Sequence, residues 1–354
     1  MYAEIISVTE NSALLAFATG RAGFVSLELE GLQPIHSVEA ADCGRLKAEK
    51  LTPNTSYSGL FRSENNTFPI AFQTLPMPVG PELDRILLTA DWHISTKPEN
   101  RKGRFFIESA MLAQENLETA VELGATAILI SGDLTNMGTP EEYEILAGIL
   151  KNSPVPVLAV PGNHDHPEHG HWEKSIGKRT FRAKFPGGTI LGIDTSDYHL
   201  NSEDAKTIER ELDQVGRVTI LSHYQLFEAP GINHKPELNI KNAAEFPRLF
   251  KKLTASNSTI WCGHQNICAR STAGKIFQLN LPQIPQWPCG SLLLRRYRNG
   301  VWYTFIPVRS EAMRQWSRTA GASAAAFYNE PQWLPEYRFA EYSRCNFFKD
   351  YENA

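Results

Sequence analysis

Five short stretches of this 354-residue chain place a cation-binding type of residue directly after an apolar run: Asp91-Trp92-His93, Gly132-Asp133-Leu134-Thr135-Asn136, Gly162-Asn163-His164-Asp165, Ser222-His223 and Gly263-His264-Gln265-Asn266. Imidazole, carboxylate and amide oxygen are the donors taken by Zn, Mn, Fe and similar divalent ions. Each stretch alone has a plainer reading. Gly-Asp and Gly-Asn pairs are ordinary turn chemistry, and a histidine at a strand end is commonly a hydrogen-bonded surface group. Five in series point instead to one site, because in layered α/β folds the carboxyl ends of the strands form a rim where residues distant in sequence converge.

The elements that would build such a rim are legible between residues 85 and 264. Apolar runs at 85–91, 125–133, 156–165, 189–194, 218–223 and 258–264 alternate with helical stretches at 105–123, 141–151, 203–214 and 243–253. This alternation predicts an α/β layered core with mostly parallel pairing. The segment SLLLRRYRNGVWYTFIPV (291–308) reads as a hairpin over Asn299-Gly300. Ahead of the core, short β-segments at 4–8, 13–19, 23–29, 56–63 and 67–75, with a weak pair around 35–40, predict a small all-β sandwich. The connector LPMPVGPEL (75–83) is stiff with proline and marks a boundary. The expected domains are therefore 1–78, 79–320 and a C-terminal extension, 321–354, packed on the core.

The series DWH, GDLTN, GNHD, H and GHQN resembles, in this order, the calcineurin-like metallophosphoesterase superfamily, whose pattern is D-x-H, G-D-x-x-[DN], G-N-H-[DE], H, G-H-x-H. GDLTNMGTPEEYEIL followed by VPGNHDHPE is most similar to its class III cyclic-nucleotide phosphodiesterases, and LTPNTSYSGLFRS (51–63), through Leu51, Pro53 and Tyr57, is similar to part of a fibronectin type III domain. The resemblance implies a four-layer α/β/β/α sandwich, preceded here by the small all-β sandwich, and a dimetal site at the strand ends. It assigns Asp91 and His93 to one metal, Asp133 to a bridge, and Asn163, His223 and His264 to the second metal. Two neighbouring cations also need a carboxylate between them to offset their repulsion, which suits Asp133. The implied reaction is hydrolysis of a phosphate ester by a metal-bound hydroxide, with His164 beside the scissile phosphate as hydrogen-bond donor or acid.

The sequence departs from the pattern at its last position, where Asn266 stands in place of histidine, and no histidine follows His264. An amide oxygen is a weaker ligand than imidazole for a borderline-soft ion, so the first site is expected to bind its metal more loosely than the second or to prefer a harder ion such as Mn or Mg. His166, His169 and His171 lie within eight residues of Asn163 and are read as a solvated polar loop rather than as ligands. Asn136 is expected to hydrogen-bond His164 without adding charge. The order of sandwich and core is similar to that of purple acid phosphatases, which have tyrosine at the place of Asn136 and no histidine at the place of His93. An iron-tyrosinate centre is not expected.

Apolar residues at 42%, charged residues at 21% and a net charge of −4 describe an ordinary globular chain, with no basic excess for a nucleic-acid partner. No apolar run is long enough to span a membrane, and no secretory signal opens the chain, so a cytoplasmic location is expected, or an exported one if a leader has been removed. Five cysteines fit a reducing compartment better than a disulfide scaffold. The aromatic tail from 327 to 351 is expected to cover the core as an irregular segment, and Arg295, Arg296 and Arg298 to line a solvated strand edge. The substrate is expected to be a small-molecule phosphodiester, such as a cyclic nucleotide or a glycerophosphodiester. A phosphomonoesterase with the same ligands, or a non-catalytic scaffold with a decayed site, are the alternatives. Oligomeric state is left open.

Overall fold

The computed structural model describes residues 1–228, 239–266, 268–328 and 346–351. Seven short strands come first: β1 (Tyr2–Val8), β2 (Ser12–Gly23), β3 (Ser26–Leu29), β4 (Ile35–His36), β5 (Ala41–Glu49), β6 (Ser56–Arg62) and β7 (Thr67–Gln73). They form two antiparallel sheets, ordered β1-β2-β5 and β4-β3-β6-β7, which bury Leu15, Phe17, Leu27, Leu46 and Phe61 between them. Strand β5 was not expected. Its polar residues Asp42, Arg45, Lys47 and Glu49 dilute the apolar alternation, and only Leu46 and Ala48 face fully inward.

The core then runs β8 (Asp84–Thr89), α1 (Ser109–Glu122), β9 (Ala127–Ser131), α2 (Pro140–Lys151), β10 (Val157–Val160), α3 (His171–Ser175), β11 (Phe181–Phe185), β12 (Gly188–Gly192), α4 (Ser202–Val215) and β13 (Thr219–Ser222). It continues through α5 (Pro247–Ala255), β14 (Thr259–Cys262), β15 (Ala269–Ala273), β16 (Ile276–Asn280), β17 (Gly290–Tyr297), β18 (Gly300–Pro307), α6 (Glu311–Tyr328) and β19 (Phe347–Asp350). Two six-stranded sheets result, β10-β9-β8-β17-β18-β19 and β11-β12-β13-β14-β16-β15. Strand alternation sets the layers. In β8, Ile86 and Leu88 point between the sheets with Leu129, Leu221, Trp261 and Leu292, whereas Leu87 points outward against α1 and α2 with Ile128 and Leu117. On the far side α4 and α5 cover Ile220 and Ile260 with Ile208, Leu212, Leu249 and Leu253. Both faces of each sheet are covered, which is why its strands read as continuous apolar runs. The fold is the expected four-layer α/β/β/α sandwich with an all-β part ahead of it.

The pairing is more mixed than expected. β8, β9 and β10 are parallel, as are β12, β13, β14 and β16, but β11, β15, β17, β18 and β19 join antiparallel at the flanks. The short links between β15 and β16 and between β17 and β18 leave no room for a helical crossover, so these pairs form hairpins, whereas β19 returns to its sheet after α6. In the last hairpin Tyr297 pairs with Gly300, so its loop is Arg298-Asn299, one residue earlier than the sequence reading.

Three further expectations need correction. Arg295 and Arg296 do not line a solvated edge, because β17 lies inside its sheet; Arg295 pairs with Glu10 at 2.6 Å and Arg296 with Asp84 at 3.2 Å, both arginines buried. The described end of the tail is a strand, with Phe347 stacked on Tyr303 at 4.6 Å and Phe348 on Trp302 at 4.1 Å. The side chains of Phe327, Tyr328, Trp333, Tyr337, Phe339 and Tyr342 lie outside the described set. Cys43, Cys262 and Cys289 form no disulfide, but Cys268 is disulfide-bonded.

The N-terminal sheet packs on the core through Tyr2, Ile6, Ala16 and Ala18. An ionic knot closes this seam: Tyr2 Oη donates to Glu311 Oε1 at 2.7 Å, Arg45 Nε to Glu311 Oε2 at 2.8 Å, and Arg314 Nη1 to both oxygens.

Candidate metal centre

The site begins with a backbone problem. Each strand must end in a turn sharp enough to aim a side chain along the rim, and Asp91, His93, Asp133, His264 and Asn266 all adopt positive φ, between 47° and 65°. Aspartate, asparagine and histidine tolerate this conformation better than most residues, and each such residue carries strain of about 1–3 kcal/mol that packing must offset. The turns are laced together. Asp91 N–H donates to the Gly132 carbonyl at 3.0 Å, His93 N–H to the Asp133 carbonyl at 2.9 Å, and Gly263 N–H to the His223 carbonyl at 3.1 Å. Glycines permit the close approach. A Cβ on Gly132 would collide with the His223 ring, one on Gly162 with Asp133 Oδ1, and one on Gly263 would lie 2.7 Å from Asp91 Oδ2.

These loops bring seven of the eight expected residues into demonstrable proximity. His93 Nε2 lies 3.7 Å from Asp133 Oδ2 and 3.9 Å from Asp91 Oδ1, and His223 Nε2 lies 3.4 Å from Asp133 Oδ1 and 3.2 Å from Asn163 Oδ1. The His264 backbone N–H donates to both oxygens of Asp91 at 3.2 Å. Two donor groups emerge, His93–Asp133–His164 and Asp133–His223–His264, each with its ligand atoms within 4.8 Å of one another. Asp133 belongs to both. Asn266 follows on the His264 turn, where its Nδ2 donates to the His264 carbonyl at 3.1 Å and its Oδ1 is buried without a partner. His166 and His169 form a separate outer group with Glu168, and His171 stacks near Tyr143.

Electrostatics divide the set. Burial pushes the Asp91 carboxyl up, His93 well down, and His264 down to about 3. Burial also opposes charge on Asp133, but the adjacent His223 outweighs it and holds the carboxylate well below its usual range. His223 is buried too, and the same contact, with Asp91 adding to it, carries it up to about 9.

Divalent cations fit these residues. Among the described residues both ring nitrogens of the buried His93 lack a hydrogen-bond partner, as does Asn266 Oδ1, and orphaned buried polar atoms of this kind cost about 1–3 kcal/mol each unless something satisfies them. Asp91, His93 and Asp133 would hold one ion, and Asp133, Asn163, His223 and His264 the other.

Sequence reasoning missed several neighbours. Asp165 ties two loops, accepting from Gly162 N–H and Thr135 N–H, both at 2.8 Å; its place in the GNHD stretch was the available signal. Tyr224 Oη donates to Asn163 Oδ1 at 2.8 Å, and Ser131 O contacts His223 Nδ1 at 2.8 Å, fixing the ring that presents Nε2. Asn136 meets His164 through its backbone carbonyl, 2.7 Å from Nδ1, and not through its side chain as expected; Asn136 Nδ2 has no partner among the described residues.

With a two-sheet sandwich and a shared-carboxylate donor set in place, the family follows. Residues 84–271 match the calcineurin-like phosphoesterase family, more than half of the 354 residues, and the chain belongs to it. It is 31% identical over 215 residues to a protein of Arcobacter nitrofigilis named probable glycerophosphodiester phosphodiesterase GpdQ, covering 55% of this chain and 76% of that one. It is 31% identical over 106 residues to a probable cyclic nucleotide phosphodiesterase of Fibrobacter succinogenes, where the match spans 27% of this chain and only 41% of the relative. In fold it is similar to a dimetal phosphatase from Danio rerio, with a TM-score of 0.54, 12% identity, and 64% of this chain and 96% of that chain covered. A purple acid phosphatase from yellow lupin seeds gives a TM-score of 0.50 at 11% identity over 88% of this chain and 72% of its own.

Proposed function

We propose that this chain is a metal-dependent hydrolase of phosphodiesters, of the cyclic-nucleotide or glycerophosphodiester class that its relatives' names describe. The observation that carries this reading is the membership of Asp133 in both donor groups, since a shared carboxylate is what a two-cation phosphoesterase needs. Two divalent cations would supply Lewis acidity toward the phosphate and a water acidic enough to act near neutral pH. Asp133, held ionised by His223, would be the carboxylate shared between the two ions, with Asp91 beside it as a further ligand. His164 is oriented by its Nδ1 contact with the Asn136 carbonyl, which leaves Nε2 to hydrogen-bond the phosphate or pass a proton to the leaving oxygen. The backbone N–H of His164 donates to Asp133 Oδ1 at 2.9 Å and so couples the acid to the bridge. For the seven-strand sandwich we keep the fibronectin type III-like reading; its three-plus-four strand order and the Thr52 N–H to Tyr57 Oη bond at 2.8 Å support it.

Turnover of bis-p-nitrophenyl phosphate and of p-nitrophenyl phosphate, with Mn added, tests the proposal. The diester should be preferred, and Asp133→Asn should abolish its hydrolysis. Strong preference for the monoester favours a phosphomonoesterase, and hydrolysis indifferent to Asp133→Asn supports the scaffold reading.

A further inference from the structure

Asp91 and Asp133 feel a positive charge that none of the five motifs supplies. Arg104 acts electrostatically on Asp91, and both carboxylates act on Arg104 in return. It sits in the segment between β8 and α1, at the end of a two-residue turn in which Arg101 and Arg104 exchange backbone hydrogen bonds at 3.2 and 2.8 Å. The central residues Lys102 and Gly103 have φ of 53° and 76°, the left-handed pair that such a turn requires.

This turn is fastened on three sides. The Lys102 carbonyl accepts from Gln286 Nε2 at 2.6 Å, the Gly103 carbonyl accepts from the Ser317 hydroxyl, and Phe105 N–H donates to the Pro285 carbonyl at 2.7 Å. A side chain at position 103 would collide with the Ser317 carbonyl, so the turn cannot be rebuilt around a bulkier residue. The Cα of Arg104 is therefore placed by the fold and needs no ligand to position it.

Its guanidinium, by contrast, is poorly served. Nη2 lies 3.5 Å from Oε1 of Gln283 and of Gln286, at the outer limit of a hydrogen bond, and no bond to the other guanidinium nitrogens occurs among the described residues. Gln283 pairs through its backbone with Ala90, the residue before Asp91, so the glutamine that Arg104 approaches stands next to the first metal site. Arg45, Arg295, Arg296, Arg314 and Arg318 each have a carboxylate oxygen at 3.2 Å or closer. Among the described residues Arg104, half-buried at its turn, has none within ion-pair distance. The partner it lacks is an anion, and the anion that this site is built to receive is a phosphate.

We propose that Arg104 is a phosphate-binding catalytic residue, whose guanidinium hydrogen-bonds the non-bridging oxygens of the substrate phosphate on the Asp91–His93 side of the cleft, where Asn266 replaces an imidazole. The proposal rests on the phosphoesterase reading and adds to it a substrate contact made by the protein itself. A planar fork of N–H donors matches two phosphate oxygens and strengthens as charge accumulates on them in the transition state, which a point-charge ammonium does less well.

The test uses the full chain as wild type, Arg104→Gln and Arg104→Lys. It measures affinity for inorganic phosphate by calorimetry, kcat/KM on bis-p-nitrophenyl phosphate with Mn, and metal ions bound per chain. Arg104→Gln should weaken phosphate binding about tenfold or more and lower kcat/KM about 100-fold, with metal content equal to wild type and Arg104→Lys in between. Phosphate affinity and kcat/KM within threefold of wild type in Arg104→Gln overturn the proposal. So does a changed metal count in that variant, which would mean that Arg104 acts by repelling a cation. If Arg104→Gln does not fold, Arg104→Lys decides, and wild-type phosphate affinity in it counts against the fork. A wild-type chain that binds no phosphate and cleaves neither ester removes the hydrolase reading and this proposal with it, whereas an active wild type with an unaffected Arg104→Gln removes the proposal alone.

Discussion

Tyr224 donates its hydroxyl to Asn163 Oδ1 at 2.8 Å, the same oxygen that His223 Nε2 approaches at 3.2 Å. An amide has a donor end and an acceptor end, and only the oxygen can face a cation. The phenol selects that orientation, and its own ring is held between Tyr198 at 4.3 Å and His264 at 4.1 Å.

Removing the hydroxyl should therefore loosen the metal without unfolding the chain. Tyr224→Phe is expected to weaken metal binding about 10- to 100-fold, the usual effect of losing a partner that orients a ligand. Titration of the apoprotein with Mn or Zn checks it, and wild-type affinity in the variant refutes it.

Asn266→His tests the other end of the site. The asparagine oxygen is buried without a partner, and its φ of 58° is one that histidine also tolerates, so the imidazole enters without a new backbone cost. At limiting metal the variant should hold more ions per chain than wild type. Full and equal occupancy in both proteins would show that the amide already suffices.

Gly162→Ala should be far more damaging than a surface Gly→Ala change. Its φ of −109° suits any residue, so the penalty is purely steric: the added methyl meets Asp133 Oδ1 and lies 2.5 Å from the Asp133 backbone nitrogen. The bridging carboxylate has to move. Loss of bound metal together with loss of hydrolysis is the expected result, and retention of both would mean that the loop yields.

Arg296 offers a contrast with Arg104, because its charge serves stability. It is buried with Asp84 at 3.2 Å, and burial already raises the Asp84 carboxyl. Arg296→Met leaves that carboxylate without its counter-ion, and should cost about 3–5 kcal/mol in denaturant unfolding. The folded fraction should keep the wild-type kcat/KM. A stability change under about 1 kcal/mol would contradict the buried-pair account.

The contrast between the two arginines also marks the boundary of what sequence could reveal. RRYR at 295–298 drew attention as a charge cluster, yet its first two members are consumed by Glu10 and Asp84, at sequence distances no local pattern spans. Arg104 stands in an undistinguished stretch, and its place depends on Gln286, Ser317 and Pro285, which hold its turn from far along the chain. Strand β5 escaped notice for a related reason, since a strand with one sparsely apolar face differs little from a loop until its neighbour β2 supplies the pairing.

Most of the strands and helices from 84 to 262, though not the short α3 and β11, and the residue types at the strand ends were determined by the sequence alone, because side-chain periodicity reports which face of each element is buried. Tertiary structure decided which ends meet, that Asp133 stands in both donor groups, and that Tyr224 orients Asn163. The physical reason is that periodicity is a property of one segment, whereas a shared site depends on how segments far apart in the chain twist, cross and turn at their ends, and that is fixed only when the layers pack.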